Sequence, residues 1–211
     1  MSDITSHGRI RPLYRLVQLV TFSIYRLVFG LRTEGLENIP GEGAFIVAPN
    51  HASMLDPPAI GCIIKREVSF FAKVELMSVP VVGWFLRYAR TIPVDRKGFS
   101  GTAFKDILHS LKSGRGIIMF PEGTRTRTGE FLKPKTGVGM AAVKAGVPVI
   151  PCWIEGSFRS RPFHSQITLH FLPPFHPDDI QAESKKEHYL LVSERVMYHI
   201  RKLHEKHYGR A

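Results

Sequence analysis

The chain has 211 residues, 44% of them hydrophobic and 22% charged, with a formal net charge of +11. That length and apolar content suit one domain around one sizeable core, and no internal repeat or low-complexity tract points to a repeat array or a disordered chain. The basic surplus calls for an anionic partner: nucleic acid, a phosphorylated small molecule or an acidic membrane face.

In chain order, Arg11 to Leu31 is strongly apolar and is interrupted by Arg15, Gln18 and Arg26. A spanning helix needs about 20 mostly apolar residues, and an arginine near its centre costs at least ~2.5 kcal/mol. Two arginines on nearly the same face of a marginal stretch therefore predict an amphipathic helix lying in the membrane interface. A core helix packed on the domain has the same helical spacing. The first 33 residues hold five arginines against Asp3 alone, which suits a peripheral or monotopic seat on the anionic cytoplasmic face of a membrane. No small-residue cleavage site follows the apolar stretch, so it does not read as a signal peptide. Residues 1–33 are thus a membrane-surface segment and 34–211 the domain proper.

The turn Pro40–Gly43 leads into a buried strand, Ala44–Ala48, and a short helix runs from Pro57 to about Ile64. Val68–Ala72 reads as a strand, Pro80–Tyr88 as a helix opened by its proline, and Thr91–Val94 as a short strand. Phe104, Ile107, Leu108 and Leu111 mark an amphipathic helix over Thr102–Leu111, stopped by Gly114. Gly116–Phe120 is a buried strand, Gly137–Ala145 a helix closed by Gly146, and Val147–Ile154 and Gln166–Leu172 are strands. Tyr189, Val192, Val196, Ile200 and Leu203 give a last helix from Lys185 to about His204. Alternating apolar strands and amphipathic helices predict a single α/β layered domain with a central, mostly mixed sheet flanked by helices, and catalytic loops at strand ends.

Three charged clusters follow strands. The first is Asn50-His51-Ala52-Ser53-Met54-Leu55-Asp56-Pro57. A histidine and a carboxylate five residues apart point apart on a continuous helix, but they can meet across a strand-to-helix turn. A carboxylate on one imidazole nitrogen fixes the tautomer and leaves the other nitrogen free to take a hydroxyl proton. The plainer possibility is Asp56 as an N-cap, with Pro57 at the first helical position, and His51 as a turn residue. The second cluster is Phe120-Pro121-Glu122-Gly123-Thr124-Arg125-Thr126-Arg127. There Gly123 lets backbone approach a ligand, Arg125 can grip a phosphate, and Glu122 can accept from a polyol or orient a basic group. A solvated Glu–Arg loop has the same composition. The third cluster, Ile92 to Lys97, delivers Arg96.

With these residues in place the chain resembles the 1-acyl-glycerol-3-phosphate acyltransferases and their lysophospholipid acyltransferase relatives. The N-H-x-S-x-x-D block is met by Asn50, His51, Ser53 and Asp56, and the K-x-E-L block by Lys73–Leu76. Asp95-Arg96, Phe120–Arg125 in full and Val147–Pro151 follow in order. Five ordered matches across Leu36–Pro173 are far more specific than any one of them. Arg90, where many relatives have glycine, and Pro93, where an aromatic is common, depart from the pattern.

The resemblance implies transfer of a fatty acyl group from acyl-CoA or acyl carrier protein to the hydroxyl of a lysophosphatidic acid-like acceptor, giving phosphatidic acid for phospholipid synthesis. It implies His51 as base with Asp56 behind it. Lys73, Arg96, Glu122, Gly123, Thr124 and Arg125 would line the acceptor site, and no metal or other cofactor is needed. Ser53 reads as a loop support, not a nucleophile. Other acceptors remain open: glycerol-3-phosphate, a larger lysophospholipid or an amino-acid lysolipid. A basic nucleic-acid-binding protein, suggested by charge alone, lacks support, because the aromatics sit mostly in apolar runs. Cys62 and Cys152 read as reduced core thiols. His188, His199, His204 and His207 read as solvated helix residues with no cysteine or carboxylate cage nearby.

Overall fold

The computed structural model describes residues 10–94 and 101–209. A six-stranded sheet carries the fold, built from β1 (Arg32–Glu34), β2 (Phe45–Pro49), β3 (Val68–Ser69), β6 (Gly116–Ile118), β7 (Val149–Glu155) and β8 (Thr168–Phe171). Their spatial order is β1-β8-β7-β2-β6-β3, and every pair is parallel except β7 with β8. The predicted α/β class with a mixed sheet is what forms. A second, two-stranded parallel sheet joins β4 (Phe71–Lys73) to β5 (Ile92–Val94).

Helices cover both faces. On one side lie α1 (Pro12–Phe29) and α2 (Asp56–Gly61); on the other are α5 (Gly101–Lys112), α6 (Gly137–Ala145) and α7 (Lys185–Tyr208). Two further helices, α3 (Val74–Met77) and α4 (Pro80–Tyr88), bridge β4 to β5. The all-apolar β2 run follows from this double cover. Phe45 and Val47 enter the core shared with α1 and α2, while Ile46 and Ala48 enter the core under α5, α6 and α7. Burying the Phe45, Ile46 and Val47 side chains contributes roughly 1.5–3 kcal/mol each. Two of the glycines show how closely the layers approach. A Cβ at Gly116 would stand 2.3 Å from the Phe45 ring, and one at Gly139 would stand 1.9 Å from the Tyr189 carbonyl oxygen, where α6 crosses α7.

α1 packs one stripe on the domain. Tyr14, Gln18, Tyr25 and Phe29 are buried, and Gln18 Nε2 donates to the carbonyls of Gly61 (2.9 Å) and Ile64 (2.8 Å). Arg11 at its start pairs with Glu67 at 2.9 Å. Leu16, Leu19, Val20, Ile24 and Leu27 (76% exposed) line its outer side. No described helix is long and apolar enough to cross a membrane.

The structure corrects several sequence expectations. The strand expected over Val68–Ala72 divides: β3 joins the main sheet and β4 the small one, because the Phe70 carbonyl is taken by Ile92 N at 2.8 Å. β1 was not foreseen. Asp56 is not the N-cap of α2 but its first residue; Leu55 holds the cap position, since the Asp56 side chain is directed back to the preceding loop.

Candidate active site

β2 and β6 are adjacent and parallel, with Val47 opposite Ile118. Their C-terminal ends therefore open side by side, the usual place for a ligand on an open α/β sheet. Asn50 anchors the first loop: its Oδ1 accepts from Ile154 N (2.7 Å) and its Nδ2 donates to Ile154 O (3.1 Å), tying the residue before His51 to β7. The two loops are then laced together. His51 N donates to Glu122 Oε1 at 2.8 Å, Thr126 N donates to His51 O at 2.9 Å, and the His51 ring stacks on Phe120 with centroids 3.9 Å apart.

His51 Nδ1 lies 2.8 Å from Asp56 Oδ2. The same oxygen accepts from Ala52 N and Ser53 N, each at 2.7 Å, and Asp56 is fully buried. An ionised carboxylate only accepts, so the shared proton sits on Nδ1 and the lone pair is left on Nε2. Among the described residues Nε2 has no hydrogen-bond partner. Ser53 Oγ accepts from Leu55 N at 3.2 Å and so braces the turn. The turn thus brings together the two side chains that a helix would have separated.

Glu122 is 2% exposed, and both its oxygens are engaged by backbone: Oε1 by His51 N and Oε2 by Leu132 N at 2.7 Å. Burial pushes its carboxyl above the ordinary range, against the lowering effect of those two amides. Its place is behind the histidine, closing the loop from Pro121 to Lys135, whose N donates to Pro121 O at 2.8 Å. Gly123, at φ +68, Thr124 and Arg125 are exposed on that loop.

Arg96 lies outside the described residues, as does the side chain of Lys73, whose backbone ends β4. Sequence reasoning missed Lys135. A Cβ at Gly123 would stand 3.0 Å from Lys135 Cδ and 3.4 Å from its Nζ, so this exposed cation lies across the loop that carries Arg125. The Lys133-Pro134-Lys135 run before α6 was the available signal.

No thiol offers an alternative nucleophile in the described site. Cys62 and Cys152 are free and buried; burial pushes Cys62 to about 12 and Cys152 well above its usual value. Concavities of about 370 and 790 Å³ lie against α7, but neither includes His51 or Glu122, whose chemistry sits at an open strand end. The sequence reading of the C-terminal histidines needs one correction: a carboxylate, Glu155, stands beside His207.

The chain matches the acyltransferase family over residues 30–155. It is 26% identical over 180 residues to the 1-acyl-sn-glycerol-3-phosphate acyltransferase of Bacillus subtilis, a match covering 84% of this chain and 89% of that protein. Over 151 residues it is 35% identical to the protein of the same name from Pseudomonas aeruginosa, covering 67% of this chain and 58% of its counterpart. The crystal structure of the 1-acyl-sn-glycerophosphate (LPA) acyltransferase PlsC from Thermotoga maritima is similar at a TM-score of 0.75 and 31% identity. That match covers 90% of this chain and 79% of the other.

Proposed function

Because this chain belongs to the 1-acyl-glycerol-3-phosphate acyltransferase family, we propose that it transfers a fatty acyl group from a thioester, acyl-CoA or acyl carrier protein, to the free hydroxyl of 1-acyl-glycerol-3-phosphate. The observation that carries the mechanism is the 2.8 Å contact between His51 Nδ1 and the buried Asp56 carboxylate. His51 Nε2 takes the hydroxyl proton as the acceptor oxygen attacks the thioester carbonyl. The tetrahedral intermediate collapses by breaking the C–S bond, and the imidazolium returns its proton to the departing thiolate. Phosphatidic acid and a free thiol result. The donor is already activated, so no covalent acyl-enzyme is required. Asp56 positions the ring and stabilises its cation, and Glu122 holds the backbone of His51 from behind. Arg125, Lys135 and Arg96 supply the positive charge for the acceptor phosphate, with Gly123 and Thr124 beside the glycerol.

The deciding experiment measures thiol release with lysophosphatidic acid, glycerol-3-phosphate, lysophosphatidylcholine and an amino-acid lysolipid, each with acyl-CoA and with acyl carrier protein. Lysophosphatidic acid should be preferred, and Arg125→Ala should raise its KM more than it lowers kcat. Equal rates with an acceptor lacking a phosphomonoester would overturn the assignment.

We further propose a peripheral or monotopic seat on the anionic cytoplasmic leaflet, a reading supported by the outward apolar side of α1 and by Arg15 and Arg26 on the same helix. Co-sedimentation with vesicles containing anionic lipid should weaken at raised salt; retention unchanged by salt or carbonate contradicts this seat.

A further inference from the structure

Away from His51, four segments remote in sequence bring a second set of ionisable side chains together. Glu34 on β1, His170 on β8 and Trp153 on β7 stand in one row of the sheet. His170 is buried, with its ring stacked on Trp153 at 4.7 Å. Its Nδ1 lies 2.9 Å from Glu34 Oε2, and its Nε2 lies 3.1 Å from Glu155 Oε2. The last turn of α7 closes over this row. There His207 meets the His170 ring edge-on at 5.1 Å, and the Tyr208 hydroxyl donates to Glu155 Oε1. One ligand atom each from Glu155, His170 and His207 can be chosen so that all lie within 4.8 Å of one another.

We propose that Glu155, His170 and His207 form a binding site for a divalent transition-metal ion of the zinc class. Two imidazoles and a carboxylate are the donors that such ions take. Two ligand atoms about 2.0–2.1 Å from a tetrahedral ion stand roughly 3.3–3.4 Å apart, so the 3.1 Å between His170 Nε2 and Glu155 Oε2 needs only a small opening. The surroundings carry the assignment further. A metal-binding histidine ordinarily donates its other N–H to a carboxylate, which fixes the ring and strengthens the ligand. Glu34 stands at that nitrogen, Tyr208 holds the remaining oxygen of Glu155, and Trp153 sets the plane of the ring.

On binding, the Nε2 lone pair of His170 turns to the ion, any proton it carried passes to water, and the other proton stays on Nδ1, donated to Glu34 Oε2. His207 supplies the third ligand from α7 and, being exposed, leaves one coordination position facing solvent. The ion would clip the end of α7 to β7 and β8, one residue beyond the Ile154 backbone that Asn50 grips beside His51. Ion binding of this kind stabilises the folded chain.

The test uses the full chain, stripped with chelator and titrated with Zn²⁺ alone against a chromophoric competitor. Wild type should take up one ion per chain and gain melting temperature. The variants are His207→Ala, which removes an exposed ligand, and Glu155→Gln, with His199→Ala as a histidine control elsewhere on α7. The first two should lower affinity at least about tenfold and lose most of the thermal gain, while the third behaves as wild type. Absence of stoichiometric uptake by wild type overturns the proposal. So does equal affinity in His207→Ala, or an equal loss in His199→Ala.

Discussion

Glu122→Gln tests how the histidine is held, because it keeps the shape of a buried side chain and removes one acceptor. In the wild type, two carboxylate oxygens receive the amides of His51 and Leu132 at 2.8 and 2.7 Å. A glutamine has a single oxygen, so its NH₂ must face one of those donors. Losing a hydrogen bond to a charged acceptor costs about 1.5–3 kcal/mol, and leaving a buried N–H unpaired costs about 1–3 kcal/mol. These overlap, and about 3 kcal/mol is the expected total. Each kcal/mol moves Tm by roughly 2–4 °C for a chain of this size, so the melt should fall by roughly 6–12 °C. Activity should suffer too, since an error of about 1 Å in placing a reacting group costs on the order of 10²-fold. Differential scanning calorimetry, with kcat measured at saturating acceptor well below the melt, reads both effects. A variant that melts within about 1 °C of wild type and turns over equally fast would show that Glu122 does not brace His51.

Two further predictions concern Asp56 and Glu67, carboxylates held by partners in the fold. Asp56→Asn should lower kcat by roughly 10²–10⁴-fold with a smaller change in KM, because the neutral amide no longer enforces the Nδ1 proton; a loss confined to KM would remove Asp56 from the mechanism. Glu67 has its carboxyl held below the ordinary 4.5: burial raises it, but the hydrogen bonds and charge of Arg11, with Arg115 adding to them, win. A lowered folded value means this contribution is present above about pH 4.5 and is lost as pH falls through the folded value. Hydrogen exchange in the first turns of α1 should therefore rise on acidification below about pH 4, ahead of exchange in α7; simultaneous loss of protection in both would contradict it.

The parts of the fold legible in the sequence are those encoded within one stretch of chain. β2 declared itself by an apolar run, and the His51–Asp56 pair by its place between that run and Pro57-Pro58. The glycine-bearing loop after β6 was likewise readable. What stayed hidden depends on distant partners. β1 is three residues with two exposed positions, and it exists because Arg32–Glu34 pair with Thr168–His170. Glu122 looked like a ligand-facing loop residue, since nothing local shows that Leu132 N and His51 N will converge on it. Lys135 is drawn over Gly123 only when the loop closes on Pro121. The Glu155, His170 and His207 group comes from two strands and a helix end, so spacing along the chain carried no trace of it.

The general-base role of His51 is tested most directly by His51→Ala, assayed for thiol release from acyl-CoA and from acyl carrier protein with lysophosphatidic acid. The ring is a partly exposed side chain stacked on Phe120, so the variant should keep the wild-type circular dichroism spectrum. Turnover should fall by at least about 10²-fold with either donor. A folded His51→Ala protein that acylates the acceptor at the wild-type rate would contradict the mechanism.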